Sequence, residues 1–257
     1  MIRKRLVGVV TVKDGWAVQS FGYGRYLPLG KPEVLVENLD RWGADEILLQ
    51  CIDRSRQDLG PDLKLLEKVG KRGLSTPLIY AGGIRSAQDA VDVVQAAADR
   101  VSVDALLHDD LDEVARAGAL LGNQAIVGAL PVSLGADGRL SWLDYRSRTE
   151  QPLSDQLVAA LEDGIVSEAI VIDWRHEGSP DAFDESLMDA APGAFPLIAF
   201  GGISTAAQME NLYRRPRVVA CGVGNFLSYQ EHAVQTLKSQ AAAMPLRPPL
   251  YHRSVHG

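Results

Sequence analysis

Two short glycine-bearing segments carry residue types that can hold a phosphate. Pro77-Leu78-Ile79-Tyr80-Ala81-Gly82-Gly83-Ile84 is echoed by Pro196-Leu197-Ile198-Ala199-Phe200-Gly201-Gly202-Ile203, at an offset of 119 in a chain of 257 residues. In both, an apolar run ends in a Gly-Gly pair, and a hydroxyl residue follows: Ser86-Ala87 in one, Thr205-Ala206 in the other. Glycine lets backbone N–H groups approach an anion closely, and the N-terminus of a following helix favours negative charge. Ser86 and Thr205 suit the caps of such helices. A third candidate is Gly222-Val223-Gly224, after the last apolar run. The plain alternative is that these glycines only make tight turns. Two such sites on opposite sides of one opening would suit a small molecule with a phosphate at each end.

Those turns need strands before them and helices after them. Short apolar runs, rich in Val, Ile and Leu, mark strands at Leu6–Val12, Glu46–Cys51, Leu78–Ala81, Arg100–Val103, Ala125–Leu130, Glu168–Ile172, Leu197–Phe200 and Val218–Cys221. They are continuous rather than alternating, as in parallel strands buried on both faces. Amphipathic stretches such as Glu33–Trp42, Asp62–Val69, Ala87–Ala97, Leu111–Leu121 and Leu153–Glu162 read as the helices between them. Eight such units give a barrel or a doubly wound sheet. The half-chain repeat, with Glu46-Ile47-Leu48-Leu49 loosely matched by Glu168-Ala169-Ile170-Val171, decides for the barrel. The expectation is therefore an α/β protein: one (β/α)8 TIM barrel of two similar halves over residues 1–244, followed by a Pro-rich tail over 245–257.

Composition bounds the partners. The formal net charge of −7 argues against nucleic acid and anionic membranes. No apolar run approaches the ~18 residues of a membrane span. The basic start Met1–Leu6 leads into a short apolar run broken by Lys13 and Asp14, which does not read as a signal peptide. Cys51 and Cys221 sit in strand-like runs, which suits a reduced, cytoplasmic protein. The five histidines form no ligand cluster, and His252 and His256 lie in the tail, so neither a metal nor another cofactor is expected.

The segments Val10-Thr11-Val12-Lys13-Asp14-Gly15, Ala81-Gly82-Gly83-Ile84, Ala98-Asp99-Arg100-Val101-Ser102-Val103 and Phe200-Gly201-Gly202-Ile203 occur in an order and spacing that resemble the cyclase subunit of imidazole glycerol phosphate synthase, the HisF family. The resemblance runs to about Gln240. It implies a lyase of histidine biosynthesis that works on a two-phosphate substrate at the top of the barrel. It also implies a glutaminase (HisH-like) partner that delivers ammonia from below.

The catalytic pair implied by the resemblance does not carry over. Thr11 and Pro131 stand where two aspartates are implied, and neither can exchange a proton near pH 7. Gln19 replaces an implied lysine, Asp104 a neutral amide at the first phosphate site, and Ala105 a hydroxyl. An acid beside a phosphate is unfavourable, so the second site, with Gly178, Gly202, Gly224 and Arg175, is the better anion candidate. At the opposite ends of the strands, Arg5, Glu46, Arg100 and Glu168 match in charge a ring that the family uses to close the ammonia entrance. Two arginines against two glutamates are tolerable at a narrow barrel end only if they pair; the alternative is four solvated charges. Asp99 matches a family position that contacts the glutaminase.

Entrance kept and cyclase lost resembles a HisF-like branch linked to surface-polysaccharide enzymes. In that branch a HisF-like barrel and a glutaminase-like subunit supply ammonia to a sugar amidotransferase, so a phosphorylated small molecule or sugar nucleotide becomes the expected ligand. The aromatic segment Gly15–Tyr26 resembles that branch's first loop and reads equally as a packed lid or as a docking surface. Two readings stand: an ammonia-conducting subunit for sugar amidation, or the cyclase itself with relocated acid/base residues. A phosphosugar isomerase of the same half-barrel superfamily is a weaker third.

Overall fold

A computed structural model describes residues 3–229, 232–241 and 244–248. Twelve strands and nine α-helices alternate along them. The strands are β1 (Arg5–Lys13), β2 (Trp16–Phe21), β3 (Arg25–Gly30), β4 (Glu46–Cys51), β5 (Leu78–Ala81), β6 (Arg100–Val103), β7 (Ile126–Leu134), β8 (Leu140–Asp144), β9 (Thr149–Pro152), β10 (Glu168–Asp173), β11 (Leu197–Phe200) and β12 (Val218–Val223). The helices are α1 (Pro32–Arg41), α2 (Leu63–Gly70), α3 (Ala87–Ala96), α4 (Ala105–Asp109), α5 (Leu111–Leu121), α6 (Asp155–Glu162), α7 (Ser186–Ala190), α8 (Ala206–Tyr213) and α9 (Ala233–Gln240).

Eight of the strands are parallel and close on themselves. β1 lies between β12 and β4; the ladder runs on through β5, β6 and β7, and β7 pairs with β10, which returns through β11 to β12. This is the expected (β/α)8 barrel, with the expected strands in the expected order. Side chains alternate across each strand, and the alternation splits the apolar residues into two cores. Val7, Val9, Leu48, Ile79, Val127, Ile170 and Ile198 fill the lumen. Leu6, Val10, Ile47, Leu49, Val101 and Val171 face outward against the helices.

The half-chain repeat is visible in the backbone. Ser86 Oγ accepts the Asp89 N–H at 3.1 Å and caps α3, and Thr205 Oγ1 accepts the Gln208 N–H at 3.3 Å and caps α8.

Two antiparallel hairpins are absent from the sequence expectation. β1 continues into β2 and β3, and β7 into β8 and β9. Both rise from the C-terminal end of a barrel strand, so both stand over the mouth. Each begins at an Asp-Gly pair, Asp14-Gly15 and Asp137-Gly138. Asp14 and Gly15 both have positive φ (50° and 76°), the turn that matches strand twist in a two-residue hairpin.

At the lower end, Lys4 N–H donates to Pro245 O at 3.1 Å, so the start of the proposed tail pairs with the start of the barrel. The tail from residue 249 on, including His252 and His256, lies outside the described residues. Cys51 and Cys221 are buried free thiols, and burial pushes both up to about 12. Among the described residues no helix is long and apolar enough to cross a membrane.

Candidate functional site: the two ends of the barrel

At the lower end, the first lumen-facing positions of four strands carry Arg5, Glu46, Arg100 and Glu168. Arg5 bonds Glu46 Oε2 at 2.9 Å and both Glu168 oxygens at 2.8–2.9 Å. Arg100 Nη1 bonds Glu46 Oε1 at 3.2 Å and Glu168 Oε2 at 2.9 Å. Each arginine therefore bridges both glutamates, and the four close into an alternating ring rather than four solvated charges. Arg100 is further tied to Gln124 O and Ser167 Oγ at 3.0 Å. Burial pushes the Glu46 carboxyl above its ordinary range, while Arg5 and Arg100 pull it back. The ring separates solvent from an apolar lumen.

Asp99, beside the ring, is exposed and lines a groove of about 560 Å³ together with Lys71, Thr76 and Ala97. Its Oδ2 accepts the Leu78 N–H at 2.8 Å, so it also has a structural part: it satisfies the first amide of β5.

At the upper end, Thr11 and Pro131 follow Val7–Val9 and Val127–Ala129 in the alternation, which puts them on the lumen side at the tops of β1 and β7. No ionisable group stands at either position. Above them the hairpins meet. Tyr23, at the tip between β2 and β3, packs edge-on against Tyr145 with ring centroids 5.1 Å apart, and Trp174 and Ile52 join them on the lumen core. Tyr26 Oη and Arg148 Nη1 both donate to Tyr23 O, at 2.5 and 2.7 Å. Glu177 holds the same tip: its carboxylate accepts Ser20 Oγ at 2.9 Å and the Tyr23 N–H at 3.4 Å, and its main-chain O accepts the Gly22 N–H at 2.8 Å. The aromatic segment is thus a packed lid over the lumen on its inner side, with Trp16, Leu27 and Leu29 exposed on its outer side.

Two of the cavities around the lid contain the Gly-Gly turns, and these two have no lining residue in common. The larger, about 300 Å³, is walled by Gly178, Gly202, Gly222 and Gly224 with Phe21, Glu177, Ser204 and Asn225. No acceptor among the described residues takes the backbone N–H of Gly178, Gly202 or Gly224. The smaller, about 40 Å³, contains Gly82 and Gly83 with Gln50, Ser55, Ser102, Asp104 and Tyr145. There the Gly83 N–H already donates to Ser55 Oγ at 3.2 Å. Steric need explains the glycines at that site: a Cβ on Gly82 would stand 2.2 Å from Cys51 O, and one on Gly83 2.2 Å from Gly60 O. Asp104, without a partner for Oδ1, is pushed up to about 8 by burial.

Arg175 is not brought to the larger cavity. Its guanidinium lies over Trp174 and binds both oxygens of Glu150 at 2.8 Å, since β9 brings that carboxylate to it. Glu177 takes a wall of this cavity instead, and sequence reasoning missed it because its partners, Ser20 and Tyr23, are more than 150 residues away in the chain. Among the described residues no group of three His, Cys, Asp or Glu side chains has metal-site geometry.

Comparison with known proteins adds lineage to this geometry. Residues 5–233 match the family model described as histidine biosynthesis protein. The imidazole glycerol phosphate synthase subunit HisF of Natranaerobius thermophilus is 26% identical over 242 residues, covering 93% of this chain and 96% of that protein. HisF of Bacillus subtilis is 26% identical over 246 residues, with the same two coverages. A Vibrio vulnificus protein provisionally named imidazole glycerol phosphate synthase subunit hisF2 is 26% identical over 260 residues, covering 93% of this chain and 89% of that protein. A match over residues 5–233, a closed eightfold barrel and the duplicated Gly-Gly turns agree: the chain belongs to the histidine biosynthesis protein family and is a HisF-like barrel subunit.

Proposed function

We propose that this barrel docks a glutaminase on its lower face and conducts ammonia through its lumen to an acceptor reaction, without performing the cyclase chemistry itself. The observation that carries the reading is the contrast between the two ends. The Arg5–Glu46–Arg100–Glu168 ring is complete and closed, whereas Thr11 and Pro131 put no proton-exchanging group at the tops of the first and fifth barrel strands. The shape of the mouth agrees. A substrate with a phosphate at each end needs one opening that spans both Gly-Gly turns, and the Tyr23–Tyr145 lid divides that space.

The larger cavity supports one anionic group. Its free glycine amides are the donors, and it accommodates a phosphorylated small molecule or the phosphate of a sugar nucleotide. Neutral amides there must work against the Glu177 carboxylate, which the Ser20 and Tyr23 bonds turn toward the lid. Sugar amidation, through a sugar amidotransferase that receives the ammonia, is the acceptor reaction that fits a conduit with a modified mouth. The neutral balance of the ring and the apolar lumen suit passage of uncharged ammonia.

The competing reading is the cyclase of histidine biosynthesis, favoured by the names of the relatives. An assay separates the two. With the cyclase substrate and ammonium salt as nitrogen source, the purified protein is expected to show no turnover. A rate of about 1 per second or faster, within the ordinary range for enzymes, would establish the cyclase reading instead, as would rescue of a cyclase-deficient strain on medium without histidine.

A further inference from the structure

We infer that the cavity between the two hairpins and the loop after β4 is an anion site for the phosphoryl group of a small phosphorylated molecule, held by Lys13, Arg56 and Arg148. It shares no lining residue with the glycine-amide cavity, and it stands on its own side chains whether or not the barrel conducts ammonia.

Three elements bring one cation each to this cavity of about 130 Å³. Lys13 comes from the end of β1, Arg56 from the loop between β4 and α2, and Arg148 from the turn between β8 and β9. Asp53 is the one acidic residue on its wall, and its Oδ2 already accepts the Asp14 N–H at 2.7 Å. In a chain of net charge −7, three cations against one acid is a local inversion of sign. Like charges gathered at one cavity repel, and a bound anion relieves that repulsion.

All three side chains reach solvent. Arg148 Nη1 donates to Tyr23 O at 2.7 Å, beside Tyr26 Oη, which donates to the same oxygen at 2.5 Å. That bond fixes the guanidinium and leaves most of its five N–H donors free. Lys13 Nζ lies 5.4 Å from the centre of the Tyr26 ring, so Tyr26 gathers both cationic heads on one wall. Lys13 also pairs with Asp14, but the Asp14 side chain is 60% exposed, and an ion pair so open to water holds weakly. Arg56 is exposed and has no acidic partner among the described residues. The arginines of the neighbouring loops are spent. Arg54 bonds the carbonyls of Leu59, Gly60 and Pro61, Arg85 pairs with Asp58, and Arg146 pairs with Asp109 and Asp144. The two whose forks remain open, Arg56 and Arg148, are the two on this cavity. Tyr23 and Arg148, at the tips of the two hairpins, have φ of 49° and 59°, a region that residues with side chains rarely adopt. Such outliers cluster at ligand sites.

Chemistry selects the occupant. Arginine forks match the paired oxygens of phosphate and of carboxylate alike. A carboxylate presents two oxygens in one plane. Three cations arriving from three elements suit the tetrahedral oxygens of a phosphate monoester and its charge of nearly −2. The cavity is several times larger than a single water needs, which leaves space for such a group.

The test is a calorimetric titration of the full-length protein with inorganic phosphate at low ionic strength, repeated with acetate as the carboxylate probe. Arg56→Gln is expected to weaken phosphate binding at this site about tenfold at an unchanged unfolding midpoint. Arg139→Gln makes the same change of charge on the exposed turn between β7 and β8, outside the cavity, and is expected to leave binding as it is. Phosphate binding that is absent, indifferent to Arg56→Gln or equally weakened by Arg139→Gln would overturn the site. Acetate held as tightly as phosphate would overturn the phosphoryl group as its occupant. The two cavities report separately. A parent that takes two phosphates and an Arg56→Gln variant that keeps one tight site support both, whereas a single phosphate sensitive to Arg56→Gln supports this site and removes the glycine-amide one.

Discussion

Asp104 concentrates the difference between this mouth and one built for phosphate. Burial pushes its carboxyl up to about 8, and the charges that face it, Arg146, Asp144 and Asp109, do not restore it. In the unfolded chain an aspartate titrates near 3.9. Between these values the folded state binds the extra proton, so stability falls as pH rises from about 4 to about 8 and is level above that. In sodium buffers Asp104→Asn should remove this slope. The variant is expected to gain on the parent with rising pH, by on the order of 2 kcal/mol at pH 8, read from urea unfolding at a series of pH values. A constant difference between pH 5 and pH 8 would show that Asp104 stays ionised. At the same scale, Thr11 and Pro131 were legible from the sequence alone, because a missing ionisable group needs no geometry. The pairing of Arg175 with Glu150 was not legible: it depends on where the β8–β9 hairpin sets down.

At the scale of elements, the eight barrel strands could be read because each is buried on both faces and announces itself as an unbroken apolar run. The helices followed from their periodicity and from the caps Ser86 and Thr205, both of which make the hydrogen bonds expected of them. The two hairpins escaped because their strands are short and partly exposed, Thr149–Pro152 wholly so. The Asp-Gly pairs at Asp14-Gly15 and Asp137-Gly138 were the available signal. One tertiary tie had no signature in the sequence. Lys238 on α9 donates to Gly43 O at 2.6 Å and to Asp45 Oδ1 at 2.7 Å, with both side chains almost fully buried, and Asp45 Oδ2 accepts the Leu6 N–H at 2.8 Å. This pair fastens the last helix to the base of β1. Lys238→Met would strand the Asp45 charge, and a loss of about 3–5 kcal/mol is expected, measured by chemical denaturation. A loss below 1 kcal/mol would mean that α9 is held by its apolar face alone.

For the whole molecule, the barrel has unlike ends: a neutral ring of four charges below, an apolar core between, and an aromatic lid with separate cavities above. Removing one ring member leaves its partners with uncompensated charge at 4–17% side-chain exposure. Arg5→Ala should therefore cost about 3 kcal/mol while the variant stays folded at low temperature. If the ring also gates, the complex reconstituted with its glutaminase should hydrolyse glutamine but pass less ammonia to the acceptor reaction. Unchanged delivery in a folded Arg5→Ala variant would reduce the ring to a structural feature. The mouth supports this division of labour: the lid divides the space above the lumen, and the free amides of Gly178, Gly202 and Gly224 gather on one side of it.

The central claim is that the lower face receives a glutaminase, and the most direct test is association. The purified chain is titrated with the glutaminase subunit encoded in the same genome, and complex formation is followed by sedimentation velocity. A one-to-one complex at micromolar concentration or tighter is predicted. Asp99→Asn, which keeps an acceptor for the Leu78 N–H, should weaken it about tenfold at unchanged thermal stability. Trp16→Ser on the outer side of the lid should leave it intact. No complex at micromolar concentrations, or a complex lost with Trp16→Ser and indifferent to Asp99→Asn, would contradict the account.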